Sequence, residues 1–202
     1  RRVLFRSEGP EVGGPNGPYL QSERLHIYKD WADKFLASGA AYHCYCSAEE
    51  LEAERERQRQ ANVAPGYGGT CRNLSNQQIE NYKNEGRKPV VRMRMDDGVT
   101  TFVDEIRGEV SFDHKFVPDF VLMRADGSPL YTLAVAVDDV LMNVTHILRG
   151  EDLLSSTPRQ IQVYKAMGLT PDKYPTFAHL PFVMGQDNAK LSKRNGEVSI
   201  AW

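Results

Sequence analysis

The sequence predicts an α/β fold with an α+β segment set into it. Three observations carry that prediction. A short apolar strand at 144–148 ends in the polar run Arg149-Gly150-Glu151-Asp152 and leads into a helix opened by Thr157-Pro158, the strand-then-helix unit at which open α/β sheets hold ligands. Between residues 91 and 135 the apolar period is two, with Asp97-Gly98 and Asp126-Gly127 as turn signals, which reads as antiparallel strands. At 22–36 and again after 157 the period is helical.

In chain order, residues 1–7 show no period and read as a truncation or a cloning remnant, outside the fold. Gly9 to Pro18 is turn chemistry throughout. A helix follows, with Ser22 as its cap, Leu25, Tyr28, Trp31, Ala32, Phe35 and Leu36 on one stripe, and Gly39 as its end. Ala41 to Cys46 is a short strand, and Ser47-Ala48-Glu49-Glu50 is a capping box opening a helix to about Gln60. That helix is charged along most of its length, so a solvated face laced with ion pairs is the reading, with a nucleic-acid contact as the alternative.

After a loop at 62–69, Ser75 to Gln78 opens another capped helix that ends near Gly86. Val91, Met93 and Met95 then alternate with Arg92 and Arg94, and 99–103 is expected to return as their partner strand. Phe120 to Arg124 and Pro129 to Val135 are expected to form a hairpin about Asp126-Gly127. The helix from Thr157 carries proline in its first turn and is closed by Gly168, with Ile161, Tyr164 and Met167 on its apolar face. Phe177 to Met184 is an extended apolar segment leading to Lys190-Leu191-Ser192-Lys193-Arg194.

Composition narrows the function classes. At 202 residues the chain can bury a proper core. With 25 Lys+Arg against 27 Asp+Glu the formal charge is −2, so any polyanion is met by local patches and not by bulk charge. No apolar run spans a bilayer and no signal peptide is present, so no membrane partner is expected. Three clustered cysteines do not make a secreted disulfide framework.

Four constellations carry chemistry, each with a plainer alternative. Lys190 and Lys193, three apart beside Ser192 and after the turn-prone Gly185-Gln186-Asp187-Asn188, can place two ammonium groups on one phosphate; the alternative is a solvated basic turn. Cys44-x-Cys46 with Tyr67-x-x-x-Cys71 can approach one Zn2+ tetrahedrally, with Tyr67 or water as fourth ligand, or the cysteines are small buried hydrophobes. Arg149 can pair bidentately with a carboxylate while Asp152 accepts from a ribose or amine, or the two bridge each other. Tyr131 can reach a cleft or belong to the core. His146 and His179 have no metal-ligand spacing and read as satisfied core or supporting groups.

Taken in order, Tyr131-Thr132-Leu133-Ala134, Val137-Asp138-Asp139, Thr145 to Asp152, Ser156 to Ile161, His179-Leu180-Pro181 and Lys190 to Arg194 resemble bacterial-type glutamyl-tRNA synthetase. The likeness extends upstream through Gly17-Pro18-Tyr19-Leu20-Gln21-Ser22-Glu23-Arg24 and the Cys44-Tyr45-Cys46 turn. It implies a partial Rossmann-type class I synthetase catalytic domain with an inserted α+β acceptor-binding domain. The expected division is 1–39 for the end of the first catalytic half and 40–136 for the insert. The second catalytic half is then 137–171, with a stem-contact region from 172 to 202.

The resemblance also implies ATP and Mg2+ as cofactors, L-glutamate as substrate and the tRNA acceptor stem as partner, in a cytoplasmic monomer. Lys193 and Lys190 would act on the phosphates as catalytic residues, within an ATP site formed with Leu191, Ser192, Arg194, Asp152 and the backbone around Val183. Tyr131 and Arg149 would line the glutamate pocket, where position 135 is valine and offers no side-chain hydrogen bond.

Two departures accompany the likeness. The first class signature, of His-Ile-Gly-His type, is absent from the sequence, as is an anticodon-reading helical domain. The expectation is an internal fragment that does not aminoacylate by itself. A shortened paralogue, glutamyl-queuosine tRNA synthetase, and a non-catalytic RNA-binding module derived from a synthetase are the alternatives.

Overall fold

The computed structural model describes residues 8–182. Five helices and seven strands succeed one another as α1 (Leu25–Ser38), β1 (Ala41–Cys44), α2 (Ala48–Gln60), α3 (Asn76–Asn84), β2 (Val90–Met93), β3 (Val99–Asp104), β4 (Gly108–Asp113), β5 (Phe120–Met123), α4 (Tyr131–Leu141), β6 (His146–Gly150), α5 (Thr157–Ala166) and β7 (Thr176–Leu180). They form two sheets, an antiparallel one in the order β1-β2-β5 and a mixed one in the order β4-β3-β7-β6. In the mixed sheet β6 and β7 run parallel over five residue pairs, joined by α5, with Arg149 opposite His179. The β3–β4 hairpin meets β7 through one parallel pair, Asp104 opposite Phe177.

Local chemistry sets most of the helix ends. In α2 the Glu50 amide donates to Ser47 Oγ at 3.2 Å while the Ser47 amide donates to the Glu50 carboxylate at 2.8 Å; Ser75 and Gln78 repeat the reciprocal arrangement before α3. Each such box satisfies two amides that the first turn of a helix leaves without partners. Gly39 closes α1 at φ 76°, with its amide donating to the Leu36 carbonyl at 3.2 Å. A left-handed residue is needed there, and glycine adopts that conformation without steric cost.

Several sequence expectations give way to tertiary context. Ser22 lies in a short 3-10 turn, Gln21–Glu23, and α1 begins after Arg24 with no side-chain cap. Its predicted apolar stripe holds at Tyr28, Ala32 and Phe35, while Leu25 is exposed. The first strand stops at Cys44, two residues early. β3 does not pair with β2, because β2 already has β1 on one edge and β5 on the other; β3 pairs with β4 instead.

Residues 129–135 are not a strand either. The turn at Asp126-Gly127 closes a single bridge, Met123 to Pro129, and α4 then starts at Tyr131. Its buried residues Leu133, Ala134, Ala136 and Val137 make one helical stripe, and burial of that stripe outweighs the β preference of Val135 and Val137. The strand placed at 144–148 lies two residues further on, at His146–Gly150.

The main core gathers Tyr28, Phe35, Met93, Leu122, Leu133, Val137, Ile161, Tyr164 and Phe177 from both sheets and from α1, α4 and α5. Fully burying an aliphatic or aromatic side chain of this size stabilises by roughly 1.5–3 kcal/mol. Strand alternation splits β1 between two environments: Ala41 faces this core, whereas Tyr42 and Cys44 face a second, smaller cluster with Tyr45 and Cys71. Arg24, 2 % exposed, joins α1 to α4 through a 2.7 Å ion pair with Asp138, which also accepts from the Tyr28 hydroxyl at 2.7 Å. No helix among the described residues is long and apolar enough to cross a membrane.

Candidate functional site

Arg149 sits at the C-terminal end of β6, and its guanidinium is held on three sides. Nε donates to His179 Nε2 at 3.0 Å, Nη1 to Gln160 Oε1 at 2.9 Å and Nη2 to Thr157 Oγ1 at 2.9 Å. The fold supplies each partner in turn: His179 is its neighbour across the parallel register, and Thr157 and Gln160 lie on the first turn of α5. A guanidinium has five N–H groups, so among the described residues two remain open, one on each terminal nitrogen. One N–H from each terminal nitrogen is the combination a carboxylate can take when it binds a guanidinium end-on.

The supporting chain runs further. Gln160 Nε2 donates to Asp139 at 2.6 Å, and the Tyr164 hydroxyl donates to the same carboxylate oxygen at 3.0 Å. Burial pushes Asp139 up from 3.8 to about 6, against the lowering effect of Tyr164, Arg149 and Gln160. On the other side His179 Nδ1 lies 2.6 Å from Asp104 Oδ2. Burial tends to raise Asp104, yet the His179 bond and the amides of His179, Ile106 and Arg107 outweigh it and hold the carboxyl below its ordinary value.

The other predicted residues are placed differently. Arg149 and Asp152 do not bridge: Asp152 is exposed in the 3-10 turn Glu151–Ser156. Glu151 forms an ion pair with Arg107 and accepts from the Phe182 amide at 2.9 Å, tying the turn to the chain beyond β7. Tyr131 is the first residue of α4, 51 % exposed, and not a core strand residue. It lines a cavity of about 600 Å³ with Arg92, Arg159, Asp119 and Tyr67; Arg149 is not among the lining residues. His179 is fully buried and satisfied as expected, whereas His146 is exposed. Val183, Lys190, Leu191, Ser192, Lys193 and Arg194 lie outside the described residues.

The structure brings the three cysteines together. Their sulfurs lie within 4.8 Å of one another, with Cys46 and Cys71 3.4 Å apart. The Tyr67 hydroxyl is 3.4 Å from Cys44 Sγ and 3.9 Å from Cys46 Sγ, and accepts from the Cys71 amide at 2.8 Å. Hydrogen bonding with Cys71 holds the Cys44 thiol below its ordinary value against the raising effect of burial, with Tyr67 adding to the lowering. Tyr67 is pushed up by burial and by its bond to Cys44. Three sulfurs at this spacing, with a phenol oxygen beside them, fit a tetrahedral ion with metal–sulfur bonds of about 2.3 Å. α2, beside the cluster, has the solvated face expected of it, with ion pairs Glu52–Arg55 and Glu56–Arg59.

Asp104, Thr157, Gln160 and Glu151 do not stand out in the sequence as site residues. Thr157 and Gln160 fall within the Ser156 to Ile161 motif and Glu151 lies close to Arg149, but nothing local distinguishes their roles; Asp104 lies far upstream of Arg149 and carries no sequence signal.

A parallel β-α-β unit with a fixed arginine near its strand end is the arrangement at which α/β domains place ligands. The chain belongs to the family described as tRNA synthetases class I (E and Q), catalytic domain, whose model matches residues 7–202. Among curated relatives it is 55 % identical over 196 residues to a glutamate--tRNA ligase of Streptomyces coelicolor, covering 96 % of this chain and 40 % of the relative. With one from a Sulfurihydrogenibium species it shares 50 % over 193 residues, with the same coverage. The crystal structure of a glutamate-tRNA synthetase from Elizabethkingia anophelis aligns at TM-score 0.82 and 33 % identity, over 94 % of this chain and 40 % of that one. The chain thus spans about 40 % of the length of these relatives.

Proposed function

We propose that this chain is the catalytic part of a glutamate–tRNA ligase. The observation that carries the reading is Arg149, fixed at a strand end with two N–H groups left for a carboxylate. In the first step a glutamate α-carboxylate oxygen attacks the α-phosphorus of ATP, and pyrophosphate leaves. In the second, a hydroxyl of the terminal adenosine of tRNA attacks the acyl carbon, and AMP leaves with the bonding electrons. Mg2+ offsets phosphate charge when bound.

Arg149 and Tyr131 take the glutamate side chain, and a site whose donors are left unpaired by other amino acids rejects them. Asp152 and the backbone at Val183 serve the adenosine. Lys193, assisted by Lys190, neutralises phosphate charge as it moves onto the leaving group, an electrostatic effect concentrated in the transition state, and Leu191, Ser192 and Arg194 complete the ATP-binding stretch. Residues 40–136 act as an acceptor-stem-binding insert between catalytic segments 1–39 and 137–171, with 172–202 as the stem-contact region. Cys44, Cys46, Tyr67 and Cys71 hold a structural Zn2+ within the insert. The names of the relatives do not favour the queuosine-specific paralogue.

The test is ATP–pyrophosphate exchange by the whole gene product carrying this chain, with tRNA present. Exchange that depends on glutamate is expected; equal exchange with aspartate or glutamine, or none with any amino acid, overturns the reading. Metal analysis of the purified protein, with Cys71→Ser as the control, tests the zinc separately.

A further inference from the structure

The polar chain behind Arg149 has a direction. Arg149 Nε carries a hydrogen and lies 3.0 Å from His179 Nε2, so that nitrogen accepts. The Thr157 oxygen, 3.3 Å from the same nitrogen, already accepts from Arg149 and has its own hydroxyl hydrogen to give. Nε2 therefore carries no proton, and the imidazole hydrogen resides on Nδ1, where Asp104 Oδ2 accepts it at 2.6 Å. Both groups are fully buried, so water offers neither an alternative partner. Asp104 is itself held by four backbone contacts, from the amides of His179 (to both oxygens, at 3.2 and 3.1 Å), Ile106 and Arg107 (3.1 Å each). The charged groups around the imidazole are thus Asp104 on one side and Arg149 on the other, with the Arg107–Glu151 pair beyond.

We infer that Asp104 and His179 are positioning residues for Arg149: Asp104 selects the Nδ1–H tautomer of His179, whose bare Nε2 then holds the guanidinium in the orientation that presents its two open N–H groups to the substrate carboxylate. A buried carboxylate that fixes an imidazole tautomer is a general device for aiming the far ring nitrogen. Here it links β3 to β7 and β7 to β6, and it gives the β3–β4 hairpin, whose ladder with β7 is one residue pair, a part in substrate affinity. Were the tautomer reversed, two N–H groups would face each other at 3.0 Å and Arg149 would turn away.

This inference rests on the proposed glutamate pocket, and the experiment separates the two. In exchange assays on the whole gene product, His179→Leu removes the acceptor and is expected to raise the KM for glutamate on the order of tenfold or more, as loss of a hydrogen bond to a charged group does, with the KM for ATP unchanged. His179→Gln, which again offers an oxygen to Nε, is expected to recover most of that loss. Arg149→Lys is the control on the pocket itself: if it leaves the glutamate KM unchanged, the pocket reading fails and this inference with it. If Arg149→Lys raises the KM but His179→Leu does not, or raises both substrates' KM alike, the positioning role alone is overturned. Should His179→Leu fail to fold, nitrogen-15 NMR of the wild-type imidazole decides: Nδ1 protonated and Nε2 bare is expected, and a proton on Nε2 overturns it.

Discussion

Around Arg149 the polar side chains stand on the main core, which draws on both sheets and three helices. Around Cys44 the fully buried apolar set is four residues, Tyr42, Cys44, Tyr45 and Cys71, with a helix beside it, α2, that buries nothing. Both regions place a polar constellation, the first on the larger buried core. The three free thiols of the second lie within 4.8 Å of one another, close enough to hold one metal ion. Geometry at Arg149 therefore rests on the main core, whereas geometry at the cysteines rests on the smaller cluster, to which a metal ion held by the three sulfurs would add.

The contrast is most exposed to failure in the main unit. Asp138→Ala leaves Arg24, 2 % exposed, without its carboxylate. A cost of about 3 kcal/mol is expected, since removing one partner strands a buried charge; urea denaturation should show it as a whole-chain loss. A change under about 1 kcal/mol would mean the α1–α4 junction is held by apolar packing alone.

In the cysteine unit the expected effect is confined. Cys71→Ser, or chelation, should abolish metal content and accelerate amide exchange across 41–46 and 67–75, while amides of α4 and α5 keep their protection, because units with separate cores open separately. Equal loss in α5 would show that the two regions are one cooperative unit.

A smaller effect belongs to the Arg149 network. Asp139 has a folded pKa of about 6 against an ordinary 3.8. The unfolded chain therefore binds fewer protons between about pH 4 and pH 6, and the contribution of this group to stability falls as pH rises through that window and is flat above it. Asp139→Asn, which keeps an acceptor for Gln160 and Tyr164, should remove that slope and stabilise the chain at pH 7 by about 1–2 kcal/mol. An unchanged slope would assign the pH dependence elsewhere.

Least is expected of Glu52→Gln on α2. Its pairs with Arg55 and Arg59 are half-exposed, and screened pairs of this kind leave the urea midpoint nearly unchanged, the more so as salt is added.

Elements fixed by close neighbours along the chain are legible in the sequence. The Ser47–Glu50 and Ser75–Gln78 boxes, Gly39 and Pro158 act within one helical turn, so their chemistry is written locally. The spacing of Cys44, Cys46 and Cys71 likewise announces a cluster. The middle of the chain misleads: 129–135 alternates well enough for a strand, and 99–103 follows a good turn, yet both are decided by which surfaces and edges are already occupied. Arg149 is legible as a candidate from its place near a strand end and His179 as a satisfied buried group, but the bond between them, and those to Thr157 and Gln160, are not.

Sequence alone therefore determined the caps of α2 and α3, most of the helical stripes of α1 and α5 and the cysteine set, because each depends on residues close in the chain or on side-chain chemistry itself. Tertiary structure decided that 131–141 is a helix, that β3 joins the sheet of β6 and β7, and that Asp104 reaches His179 across 75 positions. Those outcomes depend on burial and on open hydrogen-bonding edges, quantities that exist only once the chain has folded on itself.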